Sequence, residues 1–410
     1  MRKKEFEIID GELIDYRGSS SAVVIPDGVK KIGEYAFMGN SKVKIVVIPD
    51  GVSSIDRHAF EDCPKLESVV IPASVKYVGA SAFYQCESLS KCVIPEGVTF
   101  IGESAFSICS GLTEMILPDG LESIGSHAFF KCTGLTRVRI PKGVEFLGEG
   151  AFSECCSLVG IELEDGGEYL RVTDGNLYSY NGETLYAYAA GKRDAEFTVP
   201  SGVRHVGKNA FTGASYLESV TVPDSVEYIG NGAFLRCDSL KKAVLPRGLR
   251  VLEVSLFNGC GKLTDIEIPD GAERIDWYAF YDCRSLVEIA VPESVERIDS
   301  RAFNGCTELE RLLCTESAAQ YFDEELREKT VGAFIERLGK GEASESEKTA
   351  WRRFIAKRAV NAFKTLKDCV AFYRFALEGD CLSENDVDTV LAFTTSLECR
   401  ALLLEFRATK

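Results

Sequence analysis

Apolar positions in this chain recur in short blocks rather than in one continuous wave. The stretch Val69–Leu89, VVIPASVKYVGASAFYQCESL, shows the pattern. The β-branched run Val69-Val70-Ile71 predicts a short strand. Pro72 ends it, because proline has no N–H to give to a ladder. Val75-Lys76-Tyr77-Val78 predicts a second extended segment and Gly79 a turn. Ser81-Ala82-Phe83 then begins a helical or 3₁₀ turn, and Leu89 leads into the next strand.

This unit repeats. Eleven of the 12 prolines share one register: Pro26, Pro49, Pro72, Pro95, Pro118 and Pro141, then Pro200, Pro223, Pro246, Pro269 and Pro292. Within each set they lie 23 residues apart. A fixed period in this range is the mark of a solenoid, whose coils bury their apolar faces against one another. Phenylalanine follows the same register at Phe37, Phe60, Phe83, Phe106, Phe129 and Phe152, and again at Phe211, Phe234, Phe257, Phe280 and Phe303. Alanine precedes nearly every one. The exception is Leu256, whose coil also carries Glu253 in place of the turn glycine, so that coil is expected to be distorted.

The pattern divides the chain. Residues 1–22 form an N-terminal cap, with Asp10-Gly11 as a hairpin turn. Residues 23–163 are a first block of coils and residues 199–315 a second. Between them, residues 164–198 interrupt the register: Glu164 stands where proline is due. Within this insertion Asn181-Gly182 separates two Leu/Tyr runs and predicts a β-hairpin. The hairpin either closes one block and opens the next, the favoured reading, or projects as a binding loop with exposed Tyr178, Tyr180, Tyr186 and Tyr188. After Cys314 the period changes to a helical one, and residues 316–410 are expected to form a small all-α domain. Helices are predicted over 317–338, from a Ser344/Glu347 capping box through Phe354, over 360–377, from Ser383 with Asp386 through Leu391, and from Ser396 through Leu404.

The unit V-x-I-P-x-x-V-x-x-I-G-x-x-A-F-x-x-C-x-x-L resembles the BspA-like class of bacterial leucine-rich repeats. FEIIDGELIDYRG at the start and YLRVTDGNLYSYNGETLYAY in the insertion resemble that family's end and interruption segments. The resemblance covers residues 6–314. It implies an α/β repeat solenoid: a curved, right-handed array of about eleven coils with a parallel sheet along one side. It also implies protein binding, often at the bacterial surface, and no shared catalytic site.

Charge narrows the partner class. The net charge of −16 argues against nucleic acid, which needs a basic footprint. Nearly all of that charge lies on the repeats, since the helical segment is close to neutral. No secretory h-region, membrane span or anchor motif is visible, so the chain reads as cytoplasmic as it stands. Removal of a signal sequence would make it a cell-surface or secreted protein, and the runner-up reading is an exported adhesin for host or matrix proteins.

Of the 15 cysteines, nine occupy one register: Cys63, Cys86, Cys109, Cys132, Cys155, Cys237, Cys260, Cys283 and Cys306. They read as small buried hydrophobes, without zinc spacing. Cys155 and Cys156 are adjacent and cannot both point inward. His58, His127 and His205 lie in different coils and read as surface residues. No nucleophile, phosphate-loop or metalloprotease motif occurs, so no enzyme, cofactor or metal is expected.

The informative letter is the residue two before proline. If Val23 and Ile25 point in, Val24 points out. The same position holds Val47, Val70, Val93 and Ile116, then Arg139 and Glu162. In the second block it reads Thr198, Thr221, Val244, Glu267 and Ala290. Five stacked aliphatics form a candidate stripe for a protein partner, a second copy, or the chain's own helical tail. A weaker exposed set on the other strand comprises Tyr77, Phe100, Phe146 and Tyr228, interrupted by Ser54, Ser123 and His205. The leading reading is a non-enzymatic scaffold for protein–protein interaction.

Overall fold

Each coil forms two short strands and a turn segment, and the computed structural model describes them over residues 5–409. The strand before proline is exemplified by Ser68–Val70, which pairs in parallel with Ile45–Val47. The second strand is usually two residues long. Tyr77–Val78 pairs in parallel with Ser54–Ile55 on one side and Phe100–Ile101 on the other. The solenoid therefore carries two parallel ladders rather than a sheet along one side. Its third side consists of turns, tied from coil to coil by bonds such as Phe83 N–H to the Ala105 carbonyl at 2.7 Å.

Thirteen strands of the first kind occur among the described residues, against eleven registered prolines. The two extra strands, Gly160–Leu163 and Arg311–Leu313, end the two blocks. Glu164 and Thr315 stand at their proline positions. Thr315 starts the helical region instead, its hydroxyl accepting from Ala318 N–H at 3.2 Å.

The turn glycine of the repeat is needed for close approach. A Cβ on Gly79 would lie 2.6 Å from the backbone nitrogen of Arg57, and one on Gly148 would lie 2.0 Å from that of Ser126. Where Glu253 replaces this glycine, the second ladder is interrupted. Tyr228–Ile229 ends one sheet and Val251–Leu252 begins another. Leu256 and Phe257 stay fully buried across this break, so the core continues where the sheet does not.

Inside, the phenylalanine rings stack 4.7–5.6 Å apart in each block. Each ring, fully buried, contributes about 1.5–3 kcal/mol. The stacks begin on tyrosines. Tyr16 covers Phe37 at 4.9 Å and Tyr188 covers Phe211 at 5.1 Å. Both donate their backbone N–H to the alanine carbonyl of the next coil, Ala36 and Ala210, at 2.8 Å.

These tyrosines belong to two equivalent caps. Phe6–Ile9 and Glu12–Tyr16 form an antiparallel hairpin whose second strand pairs with Lys31–Ile32. In the insertion, Leu170–Thr173, Asn176–Ser179 and Thr184–Ala187 form an antiparallel meander, and its last strand pairs with His205–Val206. The meander divides the apolar interior into two clusters, one ending at Leu177 and Ala189 and the other beginning at Tyr178 and Leu185.

Every one of the nine registered cysteines donates its thiol to the carbonyl of the phenylalanine 26 residues earlier, at 3.0–3.2 Å. Cysteine thus serves as a compact donor to a buried acceptor as well as an apolar filler. The first coil of each block has Asn40 or Ala214 at that position instead.

Among the described residues the tail holds seven α-helices: α1 (Glu316–Ala319), α2 (Glu324–Gly339), α3 (Glu345–Ala356), α4 (Ala359–Thr365), α5 (Val370–Glu378), α6 (Val387–Phe393) and α7 (Leu397–Thr409). The capping box at Ser344 and Glu347 forms. The helix expected over 317–338 is two, because Asp323 caps a new start by accepting from Leu326 N–H at 2.9 Å. The one expected over 360–377 is also two, broken at Asp368, which has φ 66°. Ser383 does not cap a helix through the backbone. It bonds the Asp386 carboxylate at 2.5 Å, ahead of a 3₁₀ turn. No helix among the described residues is long and apolar enough to cross a membrane.

Candidate protein-docking surface

Strand alternation sets the first-block surface. Val23, Val46 and Val69 are buried, and the parallel register places Val24 beside Val47 and Val47 beside Val70 on the opposite side. Val24, Val70, Val93 and Ile116 are 69%, 52%, 73% and 63% exposed, while Val47 is half-buried. The hydrogen-bonded ladder stops at Lys91–Cys92 and resumes at Glu114–Ile116 in a separate sheet, so Val93 sits where pairing opens. Ile45, exposed on the same strand as Val47, widens the patch. Its position two residues earlier is polar in the later coils, which hides it from a reading of the repeat.

Charge ends the stripe. Arg139 follows Ile116 in the column and reaches Glu164 at 3.6 Å, and Arg137 reaches Glu162 at 3.5 Å. The second block offers no equivalent. Val244 is exposed, but it lies between Thr221 and Glu267. The helical tail does not cover the stripe. It packs at the opposite end of the chain, where Ala318, Phe322 and Leu326 join the second apolar cluster.

The second set does not make one surface. Tyr77 and Phe100 stack at 4.9 Å with their rings 8° from parallel. Ser123 then separates them from Phe146 in the ladder. Tyr228 belongs to the other block, beside His205, and burial pushes its phenol above the ordinary value.

Of the four insertion tyrosines, only Tyr180 is exposed. Tyr186 is half-buried, and Tyr178 and Tyr188 are both buried in the second apolar cluster. Burial pushes Tyr178 up to about 12 and Tyr188 further. The projecting-loop reading is therefore corrected: three of these side chains serve the cap. Asn181-Gly182 sits in a four-residue connection, and the register shifts at Leu177/Tyr178 in the strand before it. A second tight turn, missed in the sequence, is Asp174-Gly175, both with positive φ like Asp10-Gly11.

The histidines remain apart. His58 stacks on Tyr35 at 5.1 Å, His127 lies 3.5 Å from Asn209, and His205 is exposed on its strand. Among the described residues, no three His, Cys, Asp or Glu side chains are grouped for a metal ion.

Other exposed features escaped the sequence reading because they are assembled from different coils. Arg301 lies over Trp277 at 4.5 Å and over Tyr278 at 5.1 Å. A cleft of about 910 Å³ between the last coils and the tail is lined by Glu293, Glu296, Glu316, Arg337, Glu347 and Trp351, among others. Arg337 is held there by Glu347 at 3.1 Å. On α7, Leu397 is 86% exposed, with Leu404 two turns later also exposed.

The family profile described as "BspA type Leucine rich repeat region" matches residues 8–114, 99–174 and 185–310. Among solved structures, a leucine rich cell surface protein from Faecalibacterium prausnitzii matches with a TM-score of 0.65 and 33% identity, covering 77% of this chain and 94% of that one. The pneumococcal vaccine antigen PcpA matches with a TM-score of 0.55 and 23% identity, covering 74% of this chain and 68% of that one, a likeness that bears on fold alone. No curated protein sequence matches the chain.

Proposed function

Because the chain belongs to the BspA-type leucine-rich repeat family, whose members are typically non-enzymatic, we propose that it is a docking scaffold whose binding surface is the apolar stripe from Val24 to Ile116. The observation that carries this reading is the contrast between the two blocks. The same outward column is aliphatic and exposed in the first and mostly polar in the second. The fold treats both columns alike, so their difference reflects what meets the surface. A contiguous exposed apolar patch of this kind marks an interface.

A photo-crosslinking residue placed at Val47 tests this in the native cell. It should form adducts with protein, while the same residue at Glu267 in the second block should not. Equal labelling at both positions, or none at Val47, overturns the reading.

The second reading is an exported adhesin, favoured by the likeness to a leucine rich cell surface protein at 33% identity. Labelling of intact cells with a membrane-impermeant reagent separates the two readings. Labelled chain supports export, and protection of the chain until lysis rejects it.

A further inference from the structure

The helical tail holds a small cavity separate from both the stripe and the cleft. Helices α2, α3 and α4 converge on it, and its volume is about 90 Å³, with one side open to solvent. Val331, Phe354, Ile355 and Leu366 supply its apolar wall. An apolar cavity of about 150 Å³ takes benzene, so this one has room for a group of about three or four carbons. Charged side chains surround the same space: Glu324, Arg327 and Glu328 from α2, and Arg358 from the break between α3 and α4.

These charges are left over from the pairing around them. Every other charged side chain of α2 is in an ion pair: Glu325 with Lys329 at 3.0 Å, Glu336 with Lys340 at 2.7 Å, and Arg337 with Glu347 at 3.1 Å. Glu324, Arg327 and Glu328 make no ion pair among the described residues. Glu324 and Arg327 are at (i, i+3), a spacing that allows one, and Glu324 and Glu328 are at (i, i+4), where like charges repel. The Nε of Arg327 is buried without a hydrogen-bond partner. Arg358 also makes no ion pair among the described residues, and its guanidinium lies over the Phe354 ring at 4.7 Å, against the apolar wall.

A buried donor without a partner calls for one. We propose that the cavity is a binding site for a free aliphatic amino acid of the size of valine or leucine. The side chain fills the apolar wall. The α-carboxylate bonds to Arg327 and Arg358, whose planar guanidinium groups suit it. The ammonium group bonds to Glu328 and Glu324 and relieves their repulsion. Glu328 accepts from Thr365 Oγ1 at 2.8 Å through Oε1, which fixes the carboxylate between α2 and α4 and leaves Oε2 for the ligand. Two arginines stand against two glutamates, so the lining matches a zwitterion rather than a simple acid or amine. A phenyl side chain is too large for the space.

Ligand-observed NMR on the full chain tests this. L-Valine and L-leucine should bind with a dissociation constant of about 1 mM, the range for so small a ligand, and L-phenylalanine should not displace them. 3-Methylbutanoate is valine without its ammonium group, and isobutylamine is valine without its carboxylate. Each should bind about tenfold more weakly, the loss expected for a charged hydrogen bond. Arg358→Gln should weaken valine about tenfold and leave isobutylamine unchanged. Glu328→Gln should weaken valine to a similar extent and leave 3-methylbutanoate unchanged. A loosened fold would weaken every ligand alike, so this split marks direct contact. Val331→Phe fills the cavity and should abolish binding. The glutamine variants still decide the matter if that variant fails to fold.

No valine signal at about 20 mM overturns the proposal. So does binding of 3-methylbutanoate or isobutylamine as tight as that of valine, or valine binding that neither glutamine variant changes. The site lies in the tail, so either outcome leaves the docking reading of the stripe as it stands.

Discussion

The Tyr188 hydroxyl is buried and has no hydrogen-bond partner among the described residues, although the ring beneath it opens the second aromatic stack. The two halves of this side chain therefore act against each other. The ring is packed against Phe211 and Phe197, and Lys192 sits over it at 5.6 Å. The unpaired hydroxyl carries a desolvation cost of about 1–3 kcal/mol. Tyr188→Phe keeps the packing and removes the cost. It should raise stability by about 1 kcal/mol in urea titration, whereas Tyr188→Ala should lower it by about 3–5 kcal/mol. Loss of stability in the phenylalanine variant would mean that the hydroxyl has an acceptor in solution.

Between coils, the thiol-to-carbonyl bonds form a second ladder and give the repeat a pH response. Burial pushes eight of the nine registered thiols above their ordinary value of 9.0, with Cys132 and Cys306 at about 12. A group whose pKa is raised on folding contributes stability that is intact below its unfolded value. That stability is lost as pH rises, because only the unfolded thiol ionises. The loss is about 1.4 kcal/mol per pH unit for each thiol, against a total stability of about 5–15 kcal/mol. The urea midpoint should therefore fall steeply above pH 9 or so. Cys260→Ala with Cys283→Ala should remove about a quarter of the registered thiols' share of that slope. A midpoint that is flat from neutral to alkaline pH would contradict this.

The sequence showed that cysteine was buried but could not show its bond, because the accepting carbonyl lies 26 residues away in another coil. The strands were legible from proline, which hid Gly160–Leu163 and Arg311–Leu313, the two that end without one. The stripe was legible because period-two alternation fixes which side chain faces out. Ile45, Trp277 and the cleft at the tail were not, since each depends on how one coil differs from its neighbours.

Across the molecule, stability is distributed along the axis. Neighbouring coils bind each other through their cores and through surface pairs one repeat apart, such as Lys44–Glu67 at 2.7 Å and Lys241–Glu218 at 2.8 Å. Each such pair is worth at most about 1 kcal/mol. The insertion divides the interior in two, and only the second half is joined to the tail. Phe322 stands at the end of the second aromatic stack, its ring 71° from that of Phe303 at 5.9 Å, so no further ring can stack there. Leu326 on α2 enters the same cluster, while Val331, Phe334 and Ile335 of α2 join α3 to α7 in a separate cluster around Trp351 and Tyr373. In a quasi-one-dimensional array, damage at one end should stay near that end. Phe322→Ala should cost about 3–5 kcal/mol locally. Hydrogen exchange should then accelerate over 302–313 and fade towards the insertion, leaving the amides of 22–163 as they were. Equal acceleration in both blocks would show that the hairpin transmits unfolding, and the insertion would then be a joint within one cooperative unit rather than the start of a second.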